Sequence, residues 1–360
     1  MWIRSPMQRL LMAGSAALPP VLALLAASVL FSLFLLVQNI SPAEVFVNIY
    51  QGAFGSRFSW ENTLQRSAPI MLTALCVALT AKLGLIVIGG EGALVLGGLA
   101  AAVAGVALQG SLPPLGVQAG LLLAGALAGG IWIAMAGALR HYRGVNETIS
   151  TLLLTYIGIA VLNHLVEGPL RDPASLNNPS THSLDAANML GSIPTTGIHW
   201  GLGFAVIACI VAWLVVNRTT FGFAMRMIGG NARAAKLSGI HVGWVLVGAC
   251  GLGGAAAGLA GAIEVAAVHG AANSSLAVGY GFTGILVAFI ARQNALAIIF
   301  VAVLLGALEA STGVVQRRMD LPDATLEVFQ GIAFLCVLAS EAIQGNLRLP
   351  HPFRTREATS

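Results

Sequence analysis

The chain has 360 residues, of which 57% are hydrophobic and 9% are charged, and its formal net charge is +4. Soluble globular domains carry about 25% charged residues, so this composition excludes a water-soluble surface. The basic residues lie in short connections between apolar runs, a distribution that indicates membrane orientation and gives no sign of a nucleic-acid partner. The sequence therefore predicts an all-α, polytopic bundle of membrane helices.

Apolar runs predict about ten spans, each long enough or nearly long enough to cross a bilayer. The first follows Arg4 and Arg9, and we expect a retained helix and not a cleaved signal peptide. The second and eighth are short, which suggests tilted, broken or re-entrant segments. Residues 292–294 form so small a connection that a kink within one helix, giving nine spans, is an alternative. The predicted spans are residues 16–37, 67–81, 84–108, 115–139, 149–166, 200–216, 242–268, 279–291, 294–314 and 325–344.

Glycine is abundant, at 43 residues, which suits helices that pack closely in lipid. Two G-x-x-x-G motifs, residues 125–129 and 254–258, fall within predicted spans. In so glycine-rich a chain these motifs do not by themselves identify a partner helix.

The lysines and arginines are distributed unequally in the predicted topology: of the 18, one side holds 13 and the other side 5. Lys and Arg accumulate in cytoplasmic connections, so we predict that both termini are cytoplasmic. The expected location is the bacterial cytoplasmic (inner) membrane, with residues 1–360 forming a single transmembrane domain.

Two polar connections interrupt the apolar runs. The outer connection, residues 167–199, contains several prolines and is too short to form an enzyme domain. The inner connection, residues 217–241, is basic but also carries Phe221, Phe223 and Met225, which a merely solvated loop would not need. Short amphipathic helices that dock into a groove of another protein would explain both features.

The sequence contains neither a P-loop nor an H-E-x-x-H motif. Its four cysteines stand alone in apolar stretches, without disulfide or metal-ligand spacing. We therefore predict no catalytic residue, no metal and no cofactor in this chain. Energy for any transport would come from a gradient or from another subunit.

Acidic residues within spans are candidate functional sites, because a charge at mid-bilayer costs roughly 3 kcal/mol on insertion scales. Glu91 lies in the sequence Gly-Gly-Glu-Gly, where the glycines allow a helix to break beside a cavity. Glu264 lies within the seventh span, Glu309 late in the ninth, and Glu147 at the start of the fifth. The alternative is that these acids satisfy buried polar groups and hold the bundle together. A gradient-driven secondary transporter would use Glu91 or Glu264 as its ion site.

Several segments together resemble one known family. From Thr219 to Ile240 the pattern Thr-x-x-Gly…Arg-x-x-Gly-x-Asn-x-x-Ala-Ala-x-x-x-Gly-Ile resembles the cytoplasmic coupling loop of ABC importer permeases of the branched-chain amino acid and simple sugar permease family. Residues 146–156, 88–92 and 281–285 are similar to its N-E-x-I-S-T-x-x-x-N-Y, N-I-G-x-E-G-Q and G-F-x-G-I segments. Residues 168–173 and 52–56 resemble the subgroup that imports nucleosides with a basic membrane lipoprotein as receptor. The resemblance extends over residues 45–345.

The chain departs from the family pattern at three positions: Val87 and Thr155 stand where the family has Asn, and Ala93 stands where it often has Gln. If those amides contact the ligand, this chain takes a different purine-like or sugar-like molecule.

The resemblance implies a permease that moves a small polar solute, a nucleoside or a simple sugar, by alternating access and without being an enzyme. ATP would be bound by a separate ATP-binding cassette subunit. The other implied partners are a second, related permease subunit, an extracytoplasmic substrate-binding protein contacting the outer connection, and membrane lipid. The residues implied in coupling to the ATPase are Gly222, Arg226, Gly229, Asn231, Ala234, Ala235 and Gly239, with both alanines allowing close approach of the partner. The candidate substrate-pathway residues are Glu91, Asn146, Tyr156, Glu264 and Phe282.

Overall fold

The computed structural model describes residues 6–175 and 177–346. This part of the chain contains thirteen α-helices and isolated β-bridges, with no β-strand. Eight of its helices are long and apolar enough to cross a membrane, and Ser274–Ile290 and Ala324–Ser340 are shorter apolar helical stretches. The predicted polytopic all-α bundle is confirmed. The two ends of the chain lie outside the described residues, so the cytoplasmic placement of the termini and the single domain over residues 1–360 stay predictions.

Each predicted span coincides with a helix, but the helices at the first and second spans begin earlier than predicted, the helix at the third begins later, and one further helix is present. In chain order the helices are α1 (Pro6–Val37), α2 (Pro42–Phe54), α3 (Arg57–Ala81), α4 (Gly90–Leu108), α5 (Pro114–Arg143), α6 (Glu147–Glu167), α7 (Gly201–Arg218), α8 (Thr220–Gly230), α9 (Ala232–Leu237), α10 (Val242–Glu264), α11 (Tyr280–Ile290), α12 (Ala295–Met319) and α13 (Ala324–Asn346). No span was predicted at α2. The expectation of a short second span was wrong, because the polar residues before Ser67 continue the same helix and give α3 a length of 25 residues.

The chain divides into two units, and the first comprises its described parts before Phe46 and after Leu321. In this unit α1 packs against α13, with the rings of Phe31 and Phe329 at 4.8 Å between centroids. Phe31 is fully buried, whereas Leu25 and Val29 on the opposite face of α1 are more than half exposed. An exposed apolar helix face of this kind suits contact with lipid.

The second unit, residues 46–321, is centred on α10 packed against α3, α4 and α5. The two G-x-x-x-G motifs meet each other here. A Cβ added at Gly129 of α5 would lie 2.6 Å from the Cα of Gly258 in α10, and one added at Gly97 of α4 would overlap the same Cα. Glycine at all three positions lets three helix backbones touch. The sequence contained this packing signal but did not identify the partners.

Two helices of the second unit begin inside the bundle. α4 starts at Gly90 after a non-helical stretch, residues 82–89, that follows α3. α11 is only 11 residues long and also starts at a buried position. Arg292 and Gln293 have positive φ angles of 50° and 58°, which end α11 and separate it from α12. The alternative of one kinked helix across this connection is therefore wrong.

Candidate functional site

Glu91 joins the starts of the two helices that begin inside the bundle. It lies in the first turn of α4 with 1% of its surface exposed. Its Oε1 accepts a 2.7 Å hydrogen bond from the Gly279 amide, and its Oε2 accepts a 2.5 Å bond from the Gly281 amide. One carboxylate therefore caps α11 while it lies at the N-terminus of α4, where both helix dipoles favour negative charge. These contacts support the interpretation that the acid holds the bundle together.

α11 approaches the neighbouring helices closely at the same point. A Cβ at Gly281 would lie 2.6 Å from the Cα of Glu91, so only glycine fits there. Thr73 of α3 donates a 2.9 Å hydrogen bond from Oγ1 to the Tyr280 carbonyl oxygen. Thr283 of α11 donates a 3.4 Å hydrogen bond from Oγ1 to Oε1 of Glu309 in α12. The start of α11 is thus fixed by polar contacts from three helices.

Glu264 is the second buried carboxylate of this region, with 5% of its surface exposed. Its Oε2 lies 3.8 Å from Nε2 of His269, across a π-helical turn that follows α10. Arg66 of α3 lies near enough to Glu264 for their opposite charges to attract each other. Glu264 therefore lies beside His269, whereas Glu91 binds the first amides of α11.

The other three candidate pathway residues occupy different surroundings. Asn146 is the N-cap of α6, where its Oδ1 accepts a 3.1 Å hydrogen bond from the Ile149 amide. Tyr156 of α6 is 62% exposed, and Phe282 in the first turn of α11 is 44% exposed. Phe282 is the only one of the three adjacent in sequence to a contact of Glu91. A pathway role for each residue stays a prediction.

The N-E-x-I-S-T segment positions residues 82–89, a role that sequence reasoning missed. Thr148 Oγ1 donates a 2.9 Å hydrogen bond to the Ile86 carbonyl oxygen, and Thr151 Oγ1 accepts a 3.1 Å bond from the Ile88 amide. These hydroxyls replace the partners that a helical backbone would have supplied. Two threonines at i and i+3 on one helix face were the available signal.

The three departures from the family pattern lie within the packing of the chain itself. Val87 is 1% exposed, and Ala93 and Thr155 are fully buried. Thr155 Oγ1 donates to the Thr151 carbonyl oxygen at 3.1 Å. In this conformation none of the three presents a side chain at a surface that a solute could reach, so they give no evidence for an altered ligand.

The inner connection forms the two short helices α8 and α9. Thr219 begins α8, since its Oγ1 accepts a 3.1 Å hydrogen bond from the Gly222 amide. Arg226 donates from Nη1 to the Val216 carbonyl oxygen near the end of α7. Asn231 begins α9, where its Oδ1 accepts hydrogen bonds from the Arg233 and Ala234 amides. The predicted pair of short amphipathic helices is present, and the chain turns between them at Asn231.

Some predicted coupling residues face the chain's own core. Ala235 is fully buried in an apolar cluster with Met225, Ile228, Leu83 and other side chains of the second unit. It therefore has no surface to offer a partner, contrary to our expectation for both alanines. A Cβ at Gly222 would overlap the end of α7, and one at Gly229 would overlap the Lys82 carbonyl oxygen.

The exposed face of the inner connection is carried by other residues. Leu237 is 85% exposed and Phe223 is 54% exposed. Gly230, Asn231 and Ala234 are also exposed. Gly239 has φ of +82° and ends the segment in the left-handed conformation that glycine adopts without strain. These residues form the part of the two short amphipathic helices that is available to a partner protein.

The outer connection folds back over the loop that follows α10. The Leu184 amide donates to the Gly270 carbonyl oxygen at 2.8 Å, and the Leu190 amide donates to Ala266 at the same distance. Further hydrogen bonds from α3 and α5 reach it, including one of 2.9 Å from Gln118 Nε2 to the Met189 carbonyl oxygen. The sequence indicated a polar connection but not this packing against the loop before α11.

The long apolar helices and their exposed apolar faces define a multi-pass membrane protein. Residues 59–338 match the sequence profile of the family described as branched-chain amino acid transport system / permease component. The chain is 31% identical over 332 residues to the glucose ABC transporter permease protein TsgB13 of Haloferax volcanii, covering 89% of this chain and 87% of that protein.

Two further relatives match over nearly their whole length. The guanosine ABC transporter permease protein NupP of Bacillus subtilis is 29% identical over 342 residues, covering 92% of this chain and 95% of NupP. The nucleoside ABC transporter permease protein NupB of Lactococcus lactis is 24% identical over 352 residues, covering 95% of this chain and 96% of NupB. The chain belongs to the branched-chain amino acid transport system permease family, as its motifs predicted.

Proposed function

We propose that the chain is the membrane-spanning subunit of an ATP-driven importer and translocates a nucleoside or a simple sugar. The names of its relatives support this solute class, since they include permeases for guanosine, nucleosides and glucose. The complex would contain an ATP-binding cassette subunit, a second and related permease, and an extracytoplasmic binding protein that contacts the outer connection.

A continuous set of contacts from the inner connection to the start of α11 carries the proposal. The apolar cluster around Ala235 includes Leu83 and Leu85, which belong to residues 82–89. Gly229 also packs directly on Lys82. Residues 82–89 lead into α4, whose Glu91 holds the first amides of α11. Movement imposed on α8 and α9 by a partner can therefore reach α11 through packed atoms.

A secondary transporter driven by an ion gradient is the alternative, with Glu91 or Glu264 as its ion site. The family does not favour it, and both oxygens of Glu91 already accept backbone hydrogen bonds. The importer explains the exposed apolar side chains of the inner connection, which a gradient-driven protein would not require.

Replacement of Leu237 by Arg tests the ATPase contact. This side chain is 85% exposed, so the substitution should leave folding intact and remove an apolar contact with the partner. We expect ATPase co-purification and uptake to fall by about tenfold or more, as for an interface residue worth about 2 kcal/mol. Tyr142→Arg is the matched control, since Tyr142 is 68% exposed near the end of α5, outside the inner connection. Normal co-purification and uptake of the Leu237 variant would refute the proposed docking face.

Cysteine labelling tests the proposed orientation in the inner membrane. Asn178 in the outer connection and Ser238 in the inner connection are both exposed. An impermeant reagent should label Asn178→Cys in intact cells and reach Ser238→Cys only after permeabilisation. The reverse pattern would place the inner connection outside and exclude a cytoplasmic ATPase partner.

The solute class needs a separate test. Uptake of labelled guanosine and of labelled glucose should be compared in cells with and without this chain, each in competition with the other unlabelled solute. Loss of one uptake on deletion, with competition only by related solutes, would identify the class. Uptake of neither would reject both solutes while leaving the ATPase contact to its own experiment.

A further inference from the structure

A polar cavity of about 260 Å³ opens at the end of the second unit where α3 and α7 finish and α12 begins. Its polar lining comprises Lys82, Asn217, Arg292, Gln293 and Asn294, and no acidic side chain is among its described lining residues. The substrate pathway and the proposed coupling contact do not account for this group.

The cations at this cavity are held in place by the fold. Lys82 follows the last residue of α3, and Arg292 lies in the turn between α11 and α12. Arg292 and Gln293 both adopt positive φ, an uncommon conformation that directs the chain into the cavity wall. Arg218 adds a third cation close by, with its guanidinium carbon 5.7 Å from the centroid of the Trp213 ring that lines the cavity.

Lys82 lacks an anionic partner among the residues that the structure describes, where every ion pair involves other side chains. Burial, and to a lesser extent the charge of Arg226, lowers the pKa of the Lys82 ammonium. A half-buried ammonium in this state is stabilised by any anion that reaches it. The amides of Asn217 and Gln293 supply further hydrogen-bonding groups in the same cavity.

The remaining wall is apolar and continues into the helices that cross the membrane. Leu75 and Leu79 of α3 and Val216 of α7 line it, and all three are buried. An ammonium, a guanidinium and amides above such a wall suit a phosphate group attached to a less polar body. Basic pockets between membrane helices at a bilayer face bind anionic lipid head groups in this way.

We propose that this cavity is a binding site for a phosphate group, supplied either by an anionic phospholipid head group or by a free phosphate. The site lies beside Gly229 of the inner connection, which packs on the Lys82 backbone. Occupancy would therefore stabilise residues 82–89 against α8. The proposal does not depend on the solute or on the identity of the ATPase.

The chain offers its own control for a test, because Lys82 and Lys236 are its only lysines. Lys236 lies exposed on α9, outside the cavity. The full chain would be held in a phosphate-free maltoside detergent, with or without added phosphatidylglycerol, and treated with an amine-reactive reagent at neutral pH. Mass spectrometry would give the ratio of modification rates at the two lysines. A third sample would contain the detergent alone with added inorganic phosphate.

An anion bound at the cavity should raise the pKa of Lys82 and slow its modification about tenfold, without the same effect at Lys236. Slowing by phosphatidylglycerol assigns the ligand to the lipid, and slowing by inorganic phosphate assigns it to a free phosphate. Arg292→Gln should abolish the protection, whereas Arg233→Gln, at an exposed site on α9, should retain it. An unchanged ratio with both additions, equal slowing of both lysines, or full protection in the Arg292 variant would overturn the proposal.

Discussion

The inner and outer connections are both polar in sequence, yet the fold secures them by different interactions. The inner connection buries Met225, Ile228 and Ala235 in an apolar cluster. The outer connection contains little helix and is fastened mainly by hydrogen bonds, such as that from Gln118 to Met189. The stabilisation from apolar burial increases with the buried area, whereas a single hydrogen bond contributes about 1 kcal/mol. The inner connection should therefore be sensitive to a buried charge, and the outer connection to loss of individual hydrogen bonds.

The largest effect is expected for Ala235→Arg in the inner connection. The new guanidinium would enter a fully buried apolar site without a partner, which should reduce the free energy of unfolding by at least about 3 kcal/mol. We expect little folded protein in the membrane and a strongly lowered thermal transition of what remains. Immunoblotting and fluorescence-detected gel filtration would measure both.

Ala234→Arg provides the matched control, because Ala234 is exposed and precedes Ala235 on the same helix. Its membrane level should stay normal. Equal loss of protein in the two variants would show that α9 does not pack in the orientation described.

A smaller loss of stability is expected for Glu91→Gln. Glu91 lies in the first turn of α4, directly after residues 82–89, which pack in the apolar cluster of the inner connection. Glutamine offers one acceptor oxygen to two backbone donors, so one of the amides at Gly279 and Gly281 loses its partner. The free energy of unfolding should fall by about 1–3 kcal/mol, and uptake should fall with it.

Thermal unfolding and uptake should be measured together for Glu91→Gln, with Asp185→Asn at an exposed position of the outer connection as control. Lost uptake at unchanged stability would instead favour a direct role of the Glu91 charge in the pathway. If neither quantity changes, the capping contact with α11 is unimportant.

Gln118 of α5 anchors the outer connection through its half-buried hydrogen bond to the Met189 carbonyl oxygen. Gln118→Ala should therefore lower the free energy of local opening of this connection by about 1 kcal/mol. Hydrogen exchange of the backbone amides near Met189 should become several times faster. Gln109→Ala removes an exposed and longer bond of 3.3 Å to the Asp185 amide and should change exchange less. A larger effect for Gln109 would contradict the ranking by burial.

The smallest expected effect is a dependence of local stability on pH at the end of the outer connection. His199 is 5% exposed, and neither ring nitrogen has a hydrogen-bond partner among the described residues. Burial lowers the pKa of His199 from its ordinary value of 6.5. An opened state therefore binds a proton as the pH falls through 6.5 while the closed state stays neutral, so stability decreases toward lower pH.

Amide protection around His199 should fall between neutral and mildly acidic pH after correction for intrinsic exchange. In His199→Gln this pH dependence should disappear. A variant with the same pH dependence as the parent chain would assign the effect to another group.

Composition and periodicity predicted the helices well, because each span is long and apolar enough to be recognised without its neighbours. The motif of the inner connection also predicted α8 and α9, since its capping residues act locally. The face of each short helix that is buried could not be predicted in the same way. Ala234 and Ala235 are identical residues in adjacent positions, and only the packing of α9 on residues 82–89 buries one and exposes the other.

Long-range partners were the second thing that the sequence could not supply. Glu91 was identified as a candidate from its glycine neighbours, but its contacts at Gly279 and Gly281 lie nearly two hundred positions away in sequence. The polar residues before Ser67 also prevented prediction of the first half of α3, because the residues that they contact in the outer connection are distant in sequence.

The contact of Gly97, Gly129 and Gly258 limits which parts of the second unit can serve as moving parts. Because these three backbones are in contact, sliding of α4, α5 and α10 past one another would leave voids that no side chain fills. We therefore expect them to act as a fixed frame. Spin-label distances between exposed Leu127 of α5 and Leu252 of α10 should stay constant through the transport cycle, while distances from this frame to Phe282 of α11 change. The close glycine packing thus predicts that conformational change in the second unit is confined to elements outside α4, α5 and α10, with α11 the first to be examined.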